Sequence, residues 1–137
     1  MYFKKKKYNP QLQIFAMKSK YPQFKHKIEG ASIIFTGDLQ VKPEFPKYTV
    51  SIVYRNSSPP IIKIINPTLV ENPPHVYSEK KLCLYHPKNF KWKKEKLIAN
   101  EIIEWTSAWI YFYEVWLETG KWYGPEAPHD IQKQDYE

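Results

Sequence analysis

The sequence predicts an α+β fold: an amino-terminal helix, a four-stranded antiparallel meander, an irregular segment bearing the single cysteine, and carboxy-terminal helices. Three observations predict it. Apolar residues alternate with period two between residues 24 and 66, the breaks between these runs are short and turn-like, and from about residue 94 the period lengthens to that of a helix. Connections so short cannot carry a parallel crossover, so the strands pair antiparallel.

Each element has its own signals. Asn9-Pro10 joins an N-cap residue type to a proline at the first helical position, and Tyr21-Pro22 ends the helix because the residue before a proline is driven out of the helical region. The helix between them, about 10 to 18, carries Leu12, Phe15 and Ala16 on one side. A first strand falls within 24 to 29, before Gly30. Ile33, Phe35, Leu39 and Val41 mark the second, and Tyr48, Val50, Ile52 and Tyr54 alternate with Thr49, Ser51 and Val53 in the third. Ile61, Ile62, Ile64 and Ile65 around Lys63 form the fourth. The separators, Lys42-Pro43-Glu44-Phe45-Pro46 and Asn56-Ser57-Ser58-Pro59-Pro60, have turn composition.

Residues 67 to 93 are rich in proline and show no sustained period. A stretch of this length inside a small domain is functional or disordered, and its aromatics and cysteine argue for order. Beyond it Ile98, Ile102, Trp105, Trp109, Phe112 and Trp116 follow steps of four and three, widened by Ile103, Ile110, Tyr113 and Leu117. Asn100, Glu104, Ser107, Glu114 and Glu118 take the opposite side, and Gly120 sits where a helix ends. Thr106-Ser107 has the composition of a second cap, so one long helix and two consecutive helices both fit. The tail from Trp122 to His129 packs back through its aromatics.

Composition narrows the function classes. The length of 137 residues predicts one domain over 1–137, with residues 1–7 as a flexible basic arm. With 42% hydrophobic residues and 5 Trp, 11 Tyr and 7 Phe the chain can build a core, which excludes a disordered protein. The longest apolar stretch is cut by Glu101, Glu104, Glu114 and Glu118, so a membrane span is excluded. Lys4 to Lys7 are not followed by the apolar core of a signal peptide, which points to the cytoplasm. One cysteine cannot form an internal disulfide. That cysteine and the scattered His26, His75, His86 and His129 lack the paired spacing of a zinc site, and 4 glycines form no phosphate loop, so neither metal nor cofactor is expected. The net charge of +7 with interleaved aromatics suits a nucleic-acid surface, yet Arg55 is the only arginine and the tryptophans fall on the helical core stripe. Nucleic-acid binding is therefore the third reading.

The chemistry-bearing candidate is Cys83, in Leu82-Cys83-Leu84-Tyr85-His86-Pro87, with Pro73-Pro74-His75-Val76-Tyr77 upstream. Flanking leucines suit a small buried hydrophobe. Lys80, Lys81, Lys88, Lys91, Lys93, Lys94 and Lys96, set against Glu79 and Glu95, suit a nucleophile instead, because neighbouring cations increase the thiolate fraction of a cysteine. The same lysines also fit an ordinary solvated face. His75 and His86 are the nearest imidazoles in sequence, and spacing alone does not decide whether either reaches the sulfur.

The order of elements resembles the ubiquitin-conjugating enzyme (UBC) fold: a strand at Tyr48 to Tyr54, Pro59-Pro60, a strand at Ile61 to Ile65, His75-Val76-Tyr77 in the place of the His-Pro-Asn motif, then Leu82-Cys83-Leu84. The resemblance covers about residues 8 to 120. His75-Val76-Tyr77, Leu82-Cys83-Leu84-Tyr85 and Trp116-Leu117-Glu118-Thr119-Gly120 with Trp122 look more closely like the ubiquitin-conjugating-like proteins of bacterial CBASS antiphage operons, in their short stand-alone form without an activating domain. The resemblance implies that Cys83 carries, as a thioester, the carboxy-terminal tail of a cGAS-like (CD-NTase) nucleotidyltransferase. It also implies a mainly structural role for His75. Tyr77 stands where the motif has asparagine and offers one hydrogen bond to developing charge; backbone N–H groups of the loop, with Tyr77 or His86, complete the expected oxyanion donors. A non-catalytic scaffold that clamps the nucleotidyltransferase is the alternative.

Overall fold

The structure, a computed structural model, describes residues 10–55, 58–84, 91–93 and 96–125. The basic arm 1–7, Asn9, Asn56-Ser57, Tyr85-His86-Pro87, Lys88, Lys94, Glu95 and His129 lie outside the described residues. The elements run α1 (Pro10–Lys20), β1 (Lys25–Glu29), β2 (Ser32–Leu39), β3 (Tyr48–Tyr54), β4 (Ile61–Asn66) and α2 (Ile98–Thr119), with one 3-10 turn at Ser78–Lys80 between the sheet and α2. The sheet order is β1-β2-β3-β4, antiparallel throughout, the α+β meander that the short connections require.

Alternation decides which face is core. In β3 every second residue, Tyr48, Val50, Ile52 and Tyr54, is fully buried. Ile33, Phe35 and Leu39 of β2 and Ile62 of β4 extend that face. Gly37 completes it because Phe24 crosses so close that a Cβ would meet its Cα at 2.8 Å. Against this surface lies α2, which buries Ile98, Ile102, Ile103, Trp109, Ile110 and Tyr113. Trp105 and Trp116 are half-buried and Leu117 is exposed, so the buried stripe is narrower than the full apolar set.

α2 is one continuous helix. Thr106 does not cap a second one; its hydroxyl donates to the Ile102 carbonyl at 2.8 Å from inside the helix, a bond that spends the side chain locally. The helix ends at Gly120, whose φ of 78° is the left-handed cap conformation and whose N–H donates to the Trp116 carbonyl at 2.7 Å. Its start has no cap from its own sequence. Gln13 of α1 supplies one, its amide oxygen accepting from Ile98 N–H at 3.1 Å and its amide nitrogen donating to the Lys96 carbonyl at 2.7 Å. Gln13 is accordingly 2% exposed, while Leu12 and Phe15 point to solvent. The buried residues of α1 are Gln13 and Met17, with Ile14 and Ala16 half-buried against the core, so of the apolar side read from the sequence only Ala16 faces inward.

Glu114 also departs from the solvent side assigned to it. Half-buried, it accepts a hydrogen bond from the Tyr48 hydroxyl, and burial followed by this bond pushes the phenol well above its ordinary range. A raised folded-state pKa makes the neutral phenol the one the fold prefers. Its contribution to stability is complete below the phenol's ordinary value of about 10 and falls as pH climbs beyond it. Melting temperature is therefore expected to decline above pH 10, and Tyr48→Phe to flatten that decline; an unchanged alkaline slope in Tyr48→Phe would show that other groups control it.

Candidate active site

After β4 the chain turns through a cis Asn66-Pro67 bond and crosses to the cysteine without regular structure. None of the glycines lies in this stretch, yet the backbone enters the left-handed region at Asn72, His75, Glu79 and Lys80, with φ between 53° and 61°. These are all the positive-φ non-glycine residues among those described. Such conformations cost about 1–3 kcal/mol each and persist where the surroundings hold them, commonly at functional loops.

What holds them is a small set of backbone bonds around the cysteine. Val76 and Leu82 pair as an antiparallel bridge, and Tyr77 N–H donates to the Lys81 carbonyl at 2.7 Å. Leu82 N–H donates to Ile62 of β4 at 2.9 Å, which fastens the segment to the sheet edge. Cys83 N–H donates to the His75 carbonyl at 3.0 Å. The indole Nε1 of Trp109 donates to that same carbonyl, also at 3.0 Å. The twisted φ of His75 thus presents one oxygen to two donors, one on the cysteine and one on α2. The His75 ring, 8% exposed, lies against Trp122 with centroids 4.6 Å apart, and Trp122 in turn packs on Trp109 and Phe112.

The structure therefore brings His75 and Cys83 together through backbone, and gives the histidine side chain a packing contact that fits a structural role. Cys83 itself is 5% exposed. Tyr77 is 40% exposed, on the wall of a cavity of about 420 Å³. That cavity is framed by Pro59, Pro60, Ile62, Leu82, Leu84 and Trp92, so it touches both neighbours of the cysteine. The N–H groups of Tyr77, Lys80, Lys81, Leu82 and Cys83 donate within the loop or to β4. Lys80 donates to the Leu69 carbonyl at 3.3 Å, and Lys81 lies 3.9 Å from Glu79.

Among the described residues no group of three His, Cys, Asp or Glu side chains could hold a metal ion, and no helix is long and apolar enough to cross a membrane. Trp109 is 3% exposed and stacked on Tyr113 at 5.0 Å, a core residue unable to serve as a base-stacking platform.

The order is helix, four-stranded meander, a proline pair before β4, then a histidine-bearing turn bonded to the cysteine segment. The E2-CBASS family, described as type II CBASS E2 protein, matches residues 13–130. The chain belongs to this family. As a CBASS E2 protein it has an E2-like role in CBASS antiphage defence and an α+β, UBC-like fold. No curated protein is significantly similar to it in sequence.

Two features of this CBASS E2 were beyond sequence reasoning. Trp109 was legible only as core, although its N–H fixes the histidine carbonyl. Trp92, a wall of the cavity and edge-on to the buried Tyr54 at 6.5 Å, fell in the aperiodic segment and carried no signal beyond its type.

Proposed function

We propose that this CBASS E2 forms a thioester between Cys83 and the carboxy terminus of a cGAS-like nucleotidyltransferase and passes that acyl group to an amine, with the activity residing in the single domain 1–137. The observation that carries the proposal is the shared His75 carbonyl. It couples the cysteine to α2 and to the histidine turn, an amount of built geometry that a merely space-filling cysteine does not require.

Sulfur suits the task because a thiolate is a strong nucleophile and a thioester stays reactive toward amines. The Cys83 sulfur takes the acyl group from an activated form of the tail and expels its leaving group. An incoming amine then adds to the thioester carbonyl, the sulfur leaves as thiolate, and the proton lost from nitrogen returns to it. Tyr77, exposed and on the cavity wall, is the described side chain that donates to the developing oxyanion in this reading. Tyr77→Phe is expected to slow amide formation by about 10²-fold while leaving thioester formation nearly intact. Single-turnover discharge of preformed thioester to free lysine measures it, and an unchanged discharge rate removes Tyr77 from the chemistry.

The test of the whole reading is co-expression with the nucleotidyltransferase and its operon neighbours, followed by electrophoresis with and without reducing agent. The proposal expects a joined species that thiol dissolves. The burial of Cys83 favours the scaffold as second reading, in which the two proteins co-purify and no joined species forms.

A further inference from the structure

The cavity beside Cys83 has a chemistry that acyl transfer alone does not call for. Its walls are apolar, and at about 420 Å³ it falls within the range of small-ligand pockets. Its polar side chains are Lys81, Lys91, the phenol of Tyr77 and the indole of Trp92, and no carboxylate lines it among the described residues. Each of them donates hydrogen bonds, and two carry positive charge. Trp92 is 9% exposed, and its indole N–H is buried with no acceptor among the described residues. Buried donors are nearly always matched by an acceptor, so an unmatched one beside an open cavity points to a ligand that brings its own.

An apolar body lined by donors and two cations, of which Lys81 also lies 3.9 Å from Glu79 outside the lining, selects an apolar anion. The frame of the cavity includes the edge strand at Ile61 and Ile62 together with Leu82 and Leu84 on either side of Cys83. A ligand seated there can continue outward as an extended chain. We infer that this cavity binds the carboxy-terminal apolar residue of a peptide as the free acid, its side chain against the proline, leucine and Trp92 walls and its carboxylate on Lys81 and Lys91. The inference rests on the thioester reading for its purpose: it would seat an unactivated tail against both chain neighbours of Cys83 before any bond forms.

Isothermal titration of the 137-residue protein carrying Cys83→Ala tests it without any covalent contribution. The probes are acetyl-tetraglycyl-leucine with a free carboxylate, its carboxamide, the same peptide ended by serine, and octanoate. The leucine acid is expected to bind about tenfold more tightly than the carboxamide and the serine peptide. Lys81→Met with Lys91→Met, both changes at the cavity rim, should erase the difference between acid and carboxamide. Equal binding of acid and carboxamide overturns the proposal, as does an undiminished difference in the double variant. Binding of octanoate without binding of the leucine acid overturns it too, since the site would then serve a small free acid. Because the reading is reversible binding to a protein lacking the thiol, its failure leaves the thioester reading standing. Conversely, absence of a thiol-sensitive adduct in the native protein does not touch this binding result.

Discussion

Cys83→Ala is expected to abolish conjugation and antiphage protection together while the protein remains folded. Cysteine to alanine removes one buried heavy atom from a position between Leu82 and Leu84, a change costing about 1 kcal/mol by the ordinary behaviour of small core truncations. Domains of this size have reserves of about 5–15 kcal/mol, so folding survives. The chemistry has no such reserve. The chain holds a single thiol, and loss of a nucleophile lowers turnover by about 10⁴-fold or more. Plaque counts and immunoblots of the nucleotidyltransferase from cells carrying the variant operon measure both effects, with circular dichroism as the folding control. Wild-type protection by the alanine variant would make the cysteine structural and leave the scaffold reading in possession of the fold.

Trp109→Ala should bring the largest loss of stability, about 3–5 kcal/mol, the range for a buried aromatic replaced by alanine. Trp109 is almost fully enclosed, stacked on Tyr113, packed near Trp122, and bonded to the His75 carbonyl that also receives Cys83 N–H. Its removal therefore hollows the core and frees one of the two ties on the left-handed His75. Trp109→Phe separates the two effects: most of the ring volume stays and the donor goes, with an expected cost of about 1–2 kcal/mol. In both variants Cys83 should react faster with a thiol reagent, and in Trp109→Phe that gain should outlast correction for global stability. An unchanged reaction rate in Trp109→Phe would mean that the indole bond does not hold the cysteine loop.

Strand positions were readable because the alternation of Tyr48, Val50, Ile52 and Tyr54 with smaller or polar residues permits one buried face only. α2 was readable for the same kind of reason, and Gly120 marked its end. α1 misled because its few apolar residues do not form one stripe. Tertiary demand for a cap at Ile98 drew a glutamine inward and turned Leu12 and Phe15 outward. Glu114 misled similarly, since its partner Tyr48 lies 66 positions away. At the candidate site the identities of His75, Tyr77 and Cys83 came from motif order, but their arrangement did not. The turn is built from non-glycine residues at positive φ, which no local composition rule marks, and its strain is held by Trp109, 34 positions downstream of His75. The engagement of the Tyr77, Lys80, Lys81, Leu82 and Cys83 N–H groups within the loop or with β4 follows from that same fold-back.

The most direct measurement of the central claim is intact and peptide-level mass spectrometry of Cys83→Ser protein co-expressed with its operon partners. Serine in place of cysteine converts a labile thioester into a slower-reacting oxygen ester. The expected product is a species equal to the E2 plus the nucleotidyltransferase less one water, resistant to thiol, and mapped to position 83 through the partner's carboxy-terminal residue. An adduct mapped to any other residue, or a Cys83→Ser protein that carries none while the native protein still conjugates its partner, would contradict it.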